Sequence, residues 1–478
     1  MKRHVLMLGA LSLGACNLAP PYQRPATVPI PPSFKEAPGW IVGKPNDAAA
    51  RGEWWTLFND PVLNALESKV VVTNQNVAAA RAAYEAARAL VIVQRSALFP
   101  TVTASLNASH SGHFLPTNSN ARSSGNGSTS TNGSNNTGAT GSNFALAIGA
   151  TWEPDLWGKL GNAVTQARAN AQASAGDLEN ATLSARGELA TDYVQLRGVD
   201  AQRVLLDATI KDYQESLRIT INKYNAGTVA HSDVYQAETS LDNAIASRED
   251  LDRQRAVLEH AIAMLAGENP STFAISQTSW EPVVPQVPGI VPSTLLERRP
   301  DIAAAERRVA AANANIGIQR AAYFPQISLS GNAETGGTSI GQLFSAATSV
   351  WSLGLSGLMT LLDFGARRGQ VLQARAQYEE AVATYRQTVL TAFQQVEDNL
   401  AATRVLAGVT VEQAAAATAA TRAETIANNQ YLGGIIDYSE VVVARNAALS
   451  ARQTEIQGIV NEQTAVIALM QGIGGSWE

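Results

Sequence analysis

Gln94-Arg95-Ser96-Ala97-Leu98-Phe99-Pro100 and Gln319-Arg320-Ala321-Ala322-Tyr323-Phe324-Pro325 are two copies of one phrase, 225 residues apart. The same offset joins Val77-Ala78-Ala79-Ala80 to Ile302-Ala303-Ala304-Ala305. Further along, Trp157-Gly158 pairs with Phe364-Gly365, Gln166-Ala167-Arg168-Ala169 with Gln373-Ala374-Arg375-Ala376, and Tyr224-Asn225-Ala226-Gly227 with Tyr431-Leu432-Gly433-Gly434, now at an offset of 207. The chain is therefore an internal duplication. The offset falls from 225 to 207 between Pro100 and Trp157, which locates an insertion in the first copy. It is Thr117 to Asn143, a Ser/Asn/Gly/Thr tract whose single charge is Arg122, and it reads as a flexible exposed loop.

Around these anchors each copy reads as helix, strand, strand, long helix, return helix. The first helix is expected as one piece from Pro61 to Leu98. Small and apolar residues recur at Val77, Ala80, Tyr84, Ala87 and Val91, with a second seam through Ala79, Ala83, Ala86, Leu90, Val93 and Ala97. The second copy keeps the first seam at Ile302, Ala305, Val309, Ala312 and Ile316. Two seams describe a helix packed on both sides, as in a ring of helices. Pro100 and Pro325 end these helices. Period-two segments follow, expected as strands at about 101–108, 143–152, 326–333 and 350–359, with the loop at 109–142. Their length suits tilted membrane strands; a soluble hairpin with one wet face gives the same alternation. Four strands do not close a barrel, and an open sheet in lipid leaves edges unpaired, so spanning strands require several chains to share one barrel. Three chains give twelve strands.

Proline-free stretches then predict helices at 157–225 and 364–431, each about 100 Å long at about 1.5 Å per residue, with return helices at 233–266 and 437–471. The two copies, 61–267 and 301–472, are joined by a largely extended Pro-rich linker at 268–300 carrying Pro270, Pro282, Pro285, Pro288, Pro292 and Pro300. Residues 16–60 form an N-terminal extended segment and 473–478 a short tail.

Charge and composition narrow the class. The net charge is −6, charged residues make up only 16%, and no basic tract is present, so nucleic acid is not an expected partner. No apolar run reaches the length of a spanning helix, which leaves a closed β-barrel as the route across a bilayer. No catalytic constellation, phosphate loop or nucleophile elbow is found, and His110 and His113 have no ligand partners nearby in sequence, so the chain reads as neither an enzyme nor a metal protein.

Cys16 is the one cysteine. Lys2 and Arg3, the apolar run Val5 to Leu13, and Leu13-Gly14-Ala15-Cys16 compose a secretory signal peptide over residues 1–15. The last four residues resemble a bacterial lipobox. That implies an N-acyl and S-diacylglycerol lipid on Cys16, and the following Asn17 implies delivery to the outer membrane. An ordinary signal peptide with an incidental cysteine is the plainer reading of the same residues.

Taken in order, Pro20-Pro21-Tyr22-Gln23-Arg24-Pro25, Trp54-Trp55-Thr56-Leu57-Phe58-Asn59-Asp60-Pro61, Trp152-Glu153-Pro154-Asp155-Leu156-Trp157-Gly158-Lys159, Arg298-Arg299-Pro300-Asp301-Ile302, Tyr323-Phe324-Pro325 and Leu362-Asp363-Phe364-Gly365 resemble the TolC-like outer-membrane efflux factors, in the lipoprotein branch serving resistance-nodulation-division (RND) pumps. The resemblance implies an α+β membrane protein: a duplicated protomer giving four strands to a shared 12-stranded outer-membrane β-barrel and long helices to a periplasmic α-barrel, as a homotrimer. It implies a periplasmic adaptor and an inner-membrane RND transporter as partners, contact with outer-membrane lipid, no cofactor besides the lipid on Cys16, and passive conduction to the cell exterior. A lipid-anchored periplasmic coiled-coil spacer would share the helices but leaves the matched strands unexplained.

The turns between long and return helices are the sites to name. Gly227 and Gly434 suit the left-handed conformation that closes a helix. Gly227, Thr228 and Val229, with Gly434, Ile435 and Ile436, are the adaptor-contact tips that the resemblance implies, beside their role as tight connections. Asp437 is the candidate periplasmic gate; as the start of Asp437-Tyr438-Ser439-Glu440 it also fits a capping box. Asp155 and Asp363 read as helix caps.

Overall fold

The computed structural model describes residues 17–26, 52–112, 141–285 and 299–475. Residues 1–15 and Cys16, 27–51, most of the loop that holds the insert (113–140, including His113), part of the linker (286–298) and 476–478 lie outside them. Two compact units divide the chain: Met1–Tyr22 with Ala89–Arg168 and Ala311–Tyr378, and Gln23–Arg88 with Ala169–Ala310 and Glu379–Glu478.

The helix expected from Pro61 to Leu98 is two helices, α1 (Pro61–Thr73) and α2 (Gln75–Ser96). Asn74 breaks it. Its backbone is extended, and its buried side chain accepts from the amides of Asn76 and Val77 and donates to the Leu265 carbonyl at 2.8 Å. Asparagine caps a helix this way because its side-chain oxygen satisfies amides that have no partner in the first turn. The duplicate helix α5 (Pro300–Ala321) has no such break.

The strands are β1 (Thr101–Ser111), β2 (Gly141–Trp152), β3 (Gln326–Gly337) and β4 (Ser349–Leu358). All but β4 run two to four residues longer than the alternation indicated, because pairing continues through Ser109-His110-Ser111, Gly141-Ser142 and Glu334-Thr335-Gly336-Gly337, which carry no apolar signal. They form one antiparallel sheet in the order β1-β2-β3-β4. The register sets Leu106 opposite Leu146, Trp152 opposite Leu329, Leu329 opposite Leu355, and Ala333 opposite Trp351. One apolar face therefore runs across all four strands, and it is bare: Trp351, Leu353 and Leu355 are each at least 75% exposed. The other face carries Thr103, Ser105, Ser328, Asn332 and Ser356. The outer edges of β1 and β4 have no pairing partner among the described residues.

The helical hairpins repeat with the offset already seen. Helix α3 (Lys159–Asn225) and α6 (Ala366–Leu432) have 67 residues each, and α4 (His231–Leu265) and α7 (Tyr438–Gly472) have 35 each. Every boundary differs by 207 residues. No helix of the described residues is long and apolar enough to cross a membrane. Asp155 accepts from the amides of Leu160 and Gly161, and Asp363 from those of Gly365 and Arg367, so both serve the helix starts.

Two glycines of α3 lie against α7. A Cβ on Gly187 would overlap the Gln471 side chain, and one on Gly198 would stand 2.4 Å from Val460 Cγ2. Positions 187 and 198 ascend α3 while 471 and 460 descend α7, so the helices run antiparallel. A core of Trp54, Trp55, Phe58, Leu63, Leu66, Leu189, Tyr193, Ile262 and Met470 joins the turn before α1 and α1 itself to α3, α4 and α7.

Candidate functional site

Identical chemistry builds the two turns. The amides of Ala226, Gly227 and Thr228 bond to Asn222, Tyr224 and Lys223 carbonyls; those of Gly433, Gly434 and Ile435 bond to Asn429, Tyr431 and Gln430. Gly227 has φ +74° and Gly434 φ +73°, the left-handed region where a side chain is disfavoured. Gly227, Thr228, Gly434 and Ile435 are exposed, Ile435 at 73%, and Val229 and Ile436 are half-buried.

Asp437 is exposed at the cap position of α7, yet its side chain makes no cap hydrogen bond. The capping-box alternative is thus not formed here; only the backbone carbonyl of Asp437 accepts, from the Glu440 amide at 3.2 Å.

Beside the second turn lies a latch that motif reading did not single out. Tyr431 and Tyr438 are buried with Ala237, Val441 and Val442. Lys223, at the end of α3, donates to the Tyr431 carbonyl at 2.8 Å and stands 3.7 Å from the Tyr431 ring centroid. Thr220 Oγ1 meets the Tyr431 hydroxyl at 3.2 Å. Arg445 of α7 is buried; it donates to Ser216 and to Asn428, the latter at 2.9 Å, and faces Glu424 at 3.8 Å. Burial pushes Tyr438 up to about 12 and raises Glu424 against the pull of Arg452 and Arg445. A lysine and an arginine inside apolar seams were the available signal, since buried charge needs a partner.

The chain just after Cys16 is strapped down. Arg320 donates to the Leu18 carbonyl and Asn313 to that of Pro20, and Ala19 lies over Gly317, where a Cβ would stand 2.7 Å from it. Arg24 donates to the Tyr385 hydroxyl at 2.8 Å.

A sheet with a bare apolar face and two open edges, in one chain with two helical hairpins of this length, defines a protomer of an outer-membrane channel. The chain belongs to the outer membrane efflux protein family, whose sequence profile matches residues 66–268 and 291–475. It is similar to the probable efflux pump outer membrane protein TtgC of Pseudomonas putida, 29% identical over 475 residues covering 99% of this chain and 95% of TtgC. It is equally similar to outer membrane protein OprJ of Pseudomonas aeruginosa, 29% identical over 476 residues, covering 99% and 95%. Among solved structures, the outer-membrane channel OprN superimposes with a TM-score of 0.82 at 27% identity, covering 97% of this chain and all of that one. The fold is the TolC-like channel fold, and the protein is an outer-membrane efflux component.

Proposed function

We propose that three copies of this chain close a 12-stranded barrel in the outer membrane and form the passive exit duct of a tripartite pump. The observation that carries this reading is the four-stranded sheet whose β1 and β4 edges have no pairing partner among the described residues and whose apolar face is exposed at Val102, Leu106, Ile148, Leu329, Trp351, Leu353 and Leu355. In lipid each unpaired backbone group costs several kcal/mol, so the edges must meet those of other copies; three times four strands gives twelve. Helix α2 supports the same reading. Only Val77 of α2 is buried, whereas the duplicate helix α5 buries Ile302, Ala303, Ala304, Ala305 and Val309. The face of α2 is left for a neighbouring copy.

The periplasmic adaptor and an inner-membrane RND transporter are the proposed partners, with the adaptor meeting Gly227, Thr228, Val229, Gly434, Ile435 and Ile436. The name of the relative TtgC, a probable efflux pump outer membrane protein, supports that assignment. Asp437 supplies the gate charge, three copies around the axis. The duct conducts and does not catalyse. Cys16 carries the acyl anchor; the residues just after it are bound to α5 through the Leu18 and Pro20 carbonyls. Heat-sensitive, SDS-resistant trimers and discrete conductance steps in planar bilayers are expected. A monomer without conductance would refute the duct. Palmitate incorporated equally by the wild type and Cys16→Ser would refute the anchor.

A further inference from the structure

The duplication places an uncovered aromatic cluster where its second copy is covered. At the first turn, His231 lies edge-on to both Tyr224 (4.7 Å) and Tyr235 (4.3 Å). Tyr224 is 41% and Tyr235 59% exposed. Their counterparts 207 residues on are Tyr431, Tyr438 and Val442, at 4%, 1% and 6%. What covers those three is known: the flank of α3 through Leu217, Ile219 and Thr220, with Lys223 as the latch. The α3 residues have their own counterparts on α6: Glu424, Ile426, Ala427 and Gln430. Glu424 on that flank is engaged within its own chain by Arg445 and Arg452, but Ile426 is 58% exposed where Ile219 is packed, and Gln430 is exposed too.

We infer that Tyr224, His231 and Tyr235 form one half of the seam between chains at the turn end, and that the α6 flank of a second copy, through Ile426, Ala427 and Gln430, covers it. This rests on the ring proposed above. One packing unit, a hairpin flank on the next hairpin's turn, would then repeat six times, alternately within and between chains. The two kinds of seam differ in chemistry. Within a chain, Lys223 and Arg445 supply cations to carbonyl, hydroxyl and ring acceptors. Between chains Gln430 stands for Lys223, Glu238 for Arg445, and Ala423 for Ser216. Charge-assisted bonds are about twice as strong as neutral ones, so the seam between chains is the weaker and parts first when the turn end opens.

Cross-linking tests the pairing in the full chain. Thr220 and Tyr431 touch across the seam within a chain, and Ala427 with Tyr224 is the duplicate pair between chains. Membranes carrying Ala427→Cys/Tyr224→Cys, treated with a short bis-maleimide, are expected to give covalent dimers and trimers on denaturing gels, with neither single variant doing so. Thr220→Cys/Tyr431→Cys is expected to cross-link with no gain in mass. A native trimer yielding only monomer from the first pair would overturn the seam while leaving the ring; a wild type that is monomeric by native mass would overturn the ring itself. Should the first pair fail to assemble, Ile426→Cys/Tyr235→Cys, the duplicate of Ile219 and Val442, decides the same question by the same bands. Gln430→Lys, supplying the missing cation, is expected to raise the temperature at which SDS-resistant trimers dissociate; an unchanged or lower temperature would overturn the assigned latch.

Discussion

Glu67 Oε2 stands 4.0 Å from Arg186 Nε, and no hydrogen bond reaches either oxygen of this fully buried carboxyl. The guanidinium is turned to the Trp55 ring, 4.3 Å from its centroid. A lone attraction at that distance does not repay the loss of water. Burial therefore pushes Glu67 up to about 9, against the opposing pull of Arg186.

The sign of the resulting pH dependence follows. Between about 4.5 and about 9 the folded chain keeps the Glu67 proton and the unfolded chain has lost it. Stability conferred by that proton is therefore lost as pH rises, at up to about 1.4 kcal/mol per pH unit. Glu67→Gln mimics the protonated form. The variant is expected to unfold at a higher urea concentration than the wild type at pH 8, with the two converging near pH 5. Equal midpoints at pH 8 would show that Glu67 is ionised in the folded protein.

Asn74 makes the bend between α1 and α2 and joins it to the end of α4. Asn74→Ala removes two cap bonds and leaves the Leu265 carbonyl short of its donor. A loss of about 1–3 kcal/mol is expected, read as a lower thermal midpoint of helix unfolding. Asn74→Asp, which keeps the cap acceptor, should recover part of it.

The contact of Gly198 with Val460 makes its own prediction. Gly198→Ala would gain up to about 1 kcal/mol of helix propensity, but its Cβ meets Val460 Cγ2 at 2.4 Å. Val460 is β-branched and buried at the seam, so it has little room to turn away. A net loss of about 1–2 kcal/mol is expected from overpacking. Val460→Ala in the same chain should restore stability relative to Gly198→Ala alone. Losses that simply add would show that the two helices are not in register there.

The duplication, the strand pairs and the long hairpins were legible because each leaves a mark twice in the sequence, 207 or 225 residues apart. Single events were less legible. The bend at Asn74 occurs in one copy only, although an asparagine immediately before a helical run is a cap signal. The close approach of α7 to Gly187 and Gly198 was not legible, because glycine marks a notch and not an apolar contact. The latch of Lys223 on Tyr431 joins residues 208 apart through a backbone carbonyl, which no side-chain pattern records.

Asp437 is where the duplication serves as its own control. The corresponding residue before α4 is Ala230. Ala230 has φ −78° and ψ 157°, and Asp437 φ −80° and ψ 158°. Both accept the same backbone bond, from Asp233 and from Glu440. An alanine thus performs the structural task at this position, and the Asp437 carboxylate, exposed and uncapped, is spare for the fold. A cap of ordinary strength would cost about 1 kcal/mol on removal; here Asp437→Ala is expected to leave the dissociation temperature of the trimer unchanged. Three such carboxylates around one axis repel each other and attract cations, the more so at low salt. Asp437→Ala and Asp437→Asn are therefore expected to lower the preference for cations in single-channel recordings, with the largest change at low ionic strength. Unchanged ion selectivity and conductance in both variants would remove Asp437 from the gate and leave the narrowest point of the duct to other residues of the two turns.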